Sequence, residues 1–206
     1  DDIHFYVHSH ILILSSSNSF GGHIVRATDS YLQPFAVAVP ECSSVLTLVF
    51  LSIYGLPCDH CNFSLSILLT ALYTLYKYGI AVDRSVVPDT SLFQQILAQA
   101  PLNPMEVYIT AAELDLYPLA CSISAYLLEY DIDSISDEQA VSMGSLYLKR
   151  IYRLHRERIR ILKDLLSLPP KEHGPSLDCS YDDQQRLRRA WSLAIMSVMW
   201  DARAGK

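Results

Sequence analysis

Two thiols and an imidazole crowd one short stretch, GLPCDHCNF, residues 55–63. Cys58 and Cys61 stand in a C-x-x-C with His60 between them. Thiolates at that spacing can hold half of a tetrahedral zinc site or cycle as a redox dithiol. A structural zinc site needs four ligands, usually in two pairs. Cys42, Cys121 and Cys179 stand alone, with no second C-x-x-C and no H-x-x-x-H. A redox dithiol belongs at the start of a helix that follows a strand. This pair falls between two helical patterns, although a helix beginning near Asn62 would lower a nearby thiol's pKa. Three readings stay open: unremarkable turn cysteines, a metal site completed by an outside partner, and a redox-sensitive pair. Cofactors are not expected.

The other polar clusters carry less chemistry. His4 and His8 share one face of an extended segment about 13 Å apart, too far to share an ion. His8 reads as a turn-bonding histidine. The hydroxyls of LSSSNSF, residues 14–20, lack the G-x-S-x-G elbow of a nucleophile and read as bonded to local backbone. Gly21-Gly22 has no accompanying Lys, so no phosphate loop is present. Asp131-Ile132-Asp133 lacks the Gly and Glu of a calcium loop.

Charge is the stronger signal. The net charge is −6, but it is unevenly distributed. Residues 1–148 hold three basic against 15 acidic residues, and 149–206 hold 13 basic against seven acidic. An acidic body is thus followed by a basic tail, and each suits a partner of opposite sign. The tail begins with KRIYRLHRERIRILK, residues 149–163. Leu148, Ile151, His155, Ile159, Leu162 and Leu166 form one helical stripe, with Arg150, Arg153, Arg156, Arg160 and Lys163 on the other side. The arginines are candidate partner-binding residues. The alternative is a solvated face on a packed helix. His155 reads as a buried, hydrogen-bonded core residue. A nucleic-acid site is not expected, because exposed aromatics and a known module are missing.

The elements that must position these groups follow from periodicity. Phe5 and Val7 alternate with His4, Tyr6 and His8, which predicts a strand over 3–8. A short helix over 9–20 should end at Gly21-Gly22. Residues 34–39 read as a second strand. Helices then follow: 43–54, ended by Gly55; one starting at Asn62 or Ser64 and ended by Gly79; 90–99, capped by Asp89 or Thr90; and one from Asn103-Pro104 that Pro118 breaks, with another to Tyr130. Ser136 with Gln139 opens a helical region to Leu168, bent at Gly144. Residues 169–180 read as a linker. Ser180 with Asp183 starts a last amphipathic helix carrying Leu187, Trp191, Ala194 and Val198. The fold class expected is α+β and helix-dominated: a small sheet flanked by helical hairpins, then more helices. No apolar run reaches the about 20 residues a bilayer crossing needs. The opening Asp1-Asp2 lacks a basic leader region, and the cysteine count is odd, so a reducing intracellular setting, cytoplasm or nucleus, is expected.

Four blocks in order resemble the BTB/POZ family. DIHFYVHSHILILSSSNSF matches its opening at Phe5, Val7, His8, Ile11, Leu12, Ser15, Ser17 and Phe20. The others are Ile53-Tyr54-Gly55; Leu68, Leu69, Tyr78, Gly79 and Ile80; and Ala111, Ala112, Asp115, Leu119, Cys121 and Leu127. The resemblance spans about residues 3–130 and places a BTB/POZ-like domain over 1–131, a helical extension over 132–168 and a terminal helix over 181–206. The later segments look like the C-terminal part of fungal proteins built on a BTB domain. The resemblance implies a non-catalytic protein-interaction module, often homodimeric, some members of which are adaptors of cullin-type ubiquitin ligases. The family's leading strand has no counterpart here, which removes sequence support for dimerisation by strand exchange. FGGHIVRATDSYLQPF, residues 20–35, lacks the hydrophobic-x-Glu motif of cullin recruiters.

Overall fold

A computed structural model describes residues 3–24, 36–171, 173, 174, 176 and 178–201. Its elements are α-helices: α1 (Ser9–Ser15), α2 (Ser43–Tyr54), α3 (Leu65–Lys77), α4 (Val82–Ser85), α5 (Ser91–Gln99), α6 (Pro104–Glu113), α7 (Tyr117–Ile123), α8 (Asp137–Leu166) and α9 (Tyr181–Asp201). Three 3₁₀ turns, Ala100–Leu102, Ser124–Glu129 and Ile132–Ser134, lie among them. The chain divides into two units: residues 1–127 with 141–144, and residues 128–140 with 145–206.

The expected sheet is absent among the described residues, which corrects the α+β reading to a helical one. The alternation over 3–8 is real, with Phe5 and Val7 half-buried and Tyr6 fully exposed. A strand also needs a neighbour to take its backbone bonds. No described segment runs beside this one, so it stays extended and docks Phe5 on Phe50, ring centres 5.2 Å apart. Of the second expected strand, residues 36–39 are irregular and residues 34 and 35 lie outside the described set. Among the described residues of the first unit, one backbone bridge joins Ser16 to Ile80.

Local chemistry explains most helix ends. Gly55 closes α2 at φ 63°. Thr90 caps α5 by accepting the Phe93 N–H. Ser136 and Gln139 form the full capping box of α8, and Ser180 with Asp183 does the same for α9. Gly144 leaves helical geometry at φ 69°, ψ 164°, the bend expected there. The break after α6 lies at Asp115, held at φ 51°, three residues before Pro118. Pro118 instead sits in the first turn of α7, where its missing N–H costs nothing. Helix α1 stops at Ser15, earlier than Gly21-Gly22, because Ser16 pairs with Ile80.

The first unit's core joins α2, α3, α5, α6 and α7 through Val49, Leu68, Leu72, Leu75, Phe93, Ile96, Val107, Ala111, Leu119 and Ile123, all buried. Its key junction is the end of α3. The Asn18 amide donates to the Lys77 carbonyl at 2.9 Å, the Ser16 hydroxyl to the Tyr78 carbonyl at 2.7 Å, and the Ser17 N–H to the Gly79 carbonyl at 2.8 Å. Carbonyls at a helix end have no intrahelical partner, and here three in a row find one. Tyr78 is fully buried and stacks on Phe20 at 4.1 Å. Its hydroxyl donates to Glu41, which Lys77 also engages.

This junction has two measurable consequences. Gly79 has φ +68°, and a Cβ there would come within 2.6 Å of the Asn18 side chain. Gly79→Ala should therefore lower the unfolding free energy by about 1–3 kcal/mol, read as a lower urea midpoint; an unchanged midpoint would mean that the turn can yield. Burial raises the Glu41 pKa, but the bonds from Lys77 and Tyr78 outweigh it, and the net shift is downward from 4.5. Burial, then Glu41, pushes the Tyr78 phenol above its usual 10. A depressed carboxyl adds stability that is present above its unfolded pKa and lost as pH falls through the folded value. The phenol's contribution is complete below 10 and lost above it. Glu41→Gln should flatten the loss of stability below pH 4.5 in acid titrations followed by circular dichroism.

Candidate protein-interaction site

The cysteine pair is anchored as structure. The Cys58 N–H donates to the Ser91 hydroxyl at 2.9 Å, and its thiol lies 3.2 Å from the same oxygen. The Gln95 side-chain amide donates to the Cys58 carbonyl at 2.6 Å and the Cys61 carbonyl at 3.2 Å, and Gln99 donates to the Phe63 carbonyl. Three side chains of α5 thus bind the backbone of the turn. Cys58 is buried, which pushes its thiol pKa up; the Ser91 hydrogen bond opposes this without reversing it. A raised pKa suppresses the thiolate that both zinc binding and disulfide exchange need. No described group of three or more His, Cys, Asp or Glu is placed to share an ion.

His8 departs from the expected turn bond. Its backbone N–H and its Nδ1 each lie 2.9 Å from the Tyr54 hydroxyl, while its carbonyl receives the first N–H groups of α1. The histidine therefore ties the start of α1 to the end of α2. The Ser16 hydroxyl accepts the nearby Phe20 N–H at 2.7 Å, as expected, and also donates to the Tyr78 carbonyl, while the Ser17 hydroxyl reaches across to the Gly79 carbonyl.

Helix α8 carries the candidate arginines. Its middle stretch buries Tyr147, Ile151 and His155. The guanidinium of Arg150 lies 4.7 Å over the Tyr147 ring, so this arginine is half-buried and turned toward its own helix. Arg153 and Arg156 are exposed and reach Glu157 only through their charge. Arg160 is bracketed, its Nε 2.8 Å from Glu157 and a terminal nitrogen 2.6 Å from Asp164. The four arginines therefore do not act alike. Arg153 and Arg156 project outward, Arg160 is neutralised, and Arg150 packs. Arg158, outside the expected set, donates to the Leu128 carbonyl.

Beyond His155 the stripe is only partly covered, with Ile159 and Leu166 half-buried and Leu162 exposed, and further apolar side chains beside it stand in solvent. Ile161, Leu162, Leu165 and Leu168 are exposed, Leu165 by 64%. On α9 the pattern repeats. Ile195 is buried and Trp191 half-buried, while Leu187, Leu193, Met196 and Val198 are exposed. The Trp200 side chain lies outside the described residues. Two depressions run along this helix, one lined by Gln185, Arg188, Arg189, Ser192 and Leu193, the other by Pro170, Lys171, His173, Gln184, Leu187 and Arg188. Both are open and basic, and neither brings a nucleophile to a base.

A second polar surface was invisible in the sequence. On α6, Glu106 and Glu113 are exposed seven residues apart. Tyr73 of α3 donates to Glu113 and lies 3.4 Å from the Thr110 hydroxyl. Its partners are 37 and 40 residues away, and no local motif encodes that pairing.

Compared with protein-family models, curated proteins and solved structures, the chain gives no match. No helix among the described residues is long and apolar enough to cross a membrane.

The geometry at Cys58 is testable by thiol labelling. Cys42 and Cys121 are exposed and should react first with an aromatic disulfide reagent. Cys58 should react last, at the rate of unfolding. A Cys58 as fast as Cys121 would revive the redox reading.

Proposed function

We propose that the chain is a non-catalytic protein-interaction module, of the kind that the BTB/POZ domains it resembles represent, acting in the cytoplasm or nucleus. The observation that carries this reading is the row Ile161, Leu162 and Leu165, with Leu168 just past the helix end, apolar side chains standing in solvent on a segment otherwise rich in arginine. Contiguous apolar exposure on a folded chain marks a contact surface. A helix with this pattern fits an apolar groove in a partner. The partner is therefore a protein that offers such a groove.

A photo-crosslinking residue at Leu165 tests the reading, with one at the more exposed Leu14 of α1 as control. Adducts with protein should form at 165, not at 14, and fall at least several-fold when Ile161 and Leu168 are both changed to Asp. Equal labelling at the two positions would overturn the proposal.

A further inference from the structure

Helix α8 has a second side. Lys149, Arg153 and Arg156 are exposed and follow one another at i, i+4 and i+7, so they share a face turned away from the apolar row. Glu106, Thr110 and Glu113 follow at the same i, i+4 and i+7 on α6. At 1.5 Å per residue, each outer pair spans about 10 Å along its helix. The two faces thus carry opposite charges at one spacing. The exposed Tyr73 ring lies beside the middle of the acidic face, where it meets Thr110 and Glu113. A guanidinium over a tyrosine ring is a favourable contact, and the structure already contains one in Arg150 over Tyr147.

We propose that these faces join two copies of the chain head to tail, α8 of one copy lying along α6 of the next. Lys149 and Arg156 meet Glu106 and Glu113, and Arg153 covers Tyr73. Charge decides against the alternatives. Two α8 helices would set one basic face against another, and two α6 faces would do the same with carboxylates; like charges brought together oppose association. Arg160 takes no part, since Glu157 and Asp164 already hold it. A pair joined by one such contact keeps one free face of each sign, so association continues into chains or closes into rings, of which a reciprocal dimer is the smallest.

The experiment is light scattering on the full chain, at about 5 and 200 μM and in about 50 and 500 mM salt, a range over which exposed charges become screened. The mass should rise with concentration at low salt and return to that of a monomer at high salt. Two variants divide the contact: K149E/R153E/R156E removes the basic face, and E106Q/E113Q neutralises the acidic one while leaving Tyr73 an acceptor. Circular dichroism checks that each folds. Each alone should be monomeric. Mixed in equal amounts they should form dimers and nothing larger, because only one productive contact remains. A native chain that stays monomeric, variants that associate like the native chain, or a mixture of folded variants that stays monomeric would each overturn the proposal. None of these outcomes touches crosslinking at Leu165, which sits on the other side of α8. Association that survives salt and both charge variants would place the contact between copies on the apolar row instead.

Discussion

The first unit depends on how α3 ends. Three consecutive carbonyls there would be left without partners by the helix itself. Asn18, Ser16 and Ser17 take them in turn. The arrangement requires the chain to reverse at Gly79 with positive φ, and requires that no side chain fill the space into which Asn18 reaches. Just before the turn, Tyr78 is drawn fully inside, where Phe20 covers its ring and Glu41 accepts a hydrogen bond from its hydroxyl. Segments near residues 18, 41 and 78 are thereby fixed at one point. The Tyr78 carbonyl and hydroxyl are the part-buried members of this set, where an unpaired group costs about 1–3 kcal/mol, whereas the side-chain bonds of Asn18 and Ser17 lie exposed.

Sequence reading succeeded where the physics is local. The serine boxes at Ser136 and Ser180, the threonine cap at Thr90 and the glycines at 55 and 144 act within four residues of themselves. Their consequences are visible in any window that contains them. It failed where a residue's role depends on something distant. The alternation at 3–8 correctly marks which side chains turn inward, yet a strand is defined by its neighbour, and no pattern inside the segment reveals whether one exists. Pro118 looked like the breaker because proline cannot continue a helix. The chain had already turned at Asp115, leaving proline in the first turn where it is tolerated. The thiol motif misled for a similar reason. Spacing advertises ligands, whereas Ser91 and Gln95, more than 30 residues away, determine that Cys58 is buried and its backbone fully engaged.

The basic helix shows the same limit from another side. Periodicity correctly placed Ile151 and His155 on the inner stripe. It could not show that packing ends there. Ile159, Leu162 and Leu166 continue the same stripe, but Leu162 is already 41% exposed, so an unbroken pattern in sequence is divided in space into a packed half and an open half. The arginines were legible as a group and not as individuals. A sequence cannot tell a guanidinium stacked on Tyr147 from one held by Glu157 and Asp164, or either from one facing water.

That division bears on how such a surface binds. Exposed charges separated by more than about 8 Å are largely screened at physiological salt, so arginines on a solvated helix face add little lasting affinity by themselves. What they do well is steer and orient an encounter. Apolar side chains work the other way: each is blind to direction, but burying a leucine contributes about 1.5–3 kcal/mol whatever the salt. Helix α8 carries both, on opposite sides. Its basic face can choose an acidic surface quickly and release it readily, while its apolar row, once covered, holds. A chain built this way suits contacts of two different lifetimes on one helix.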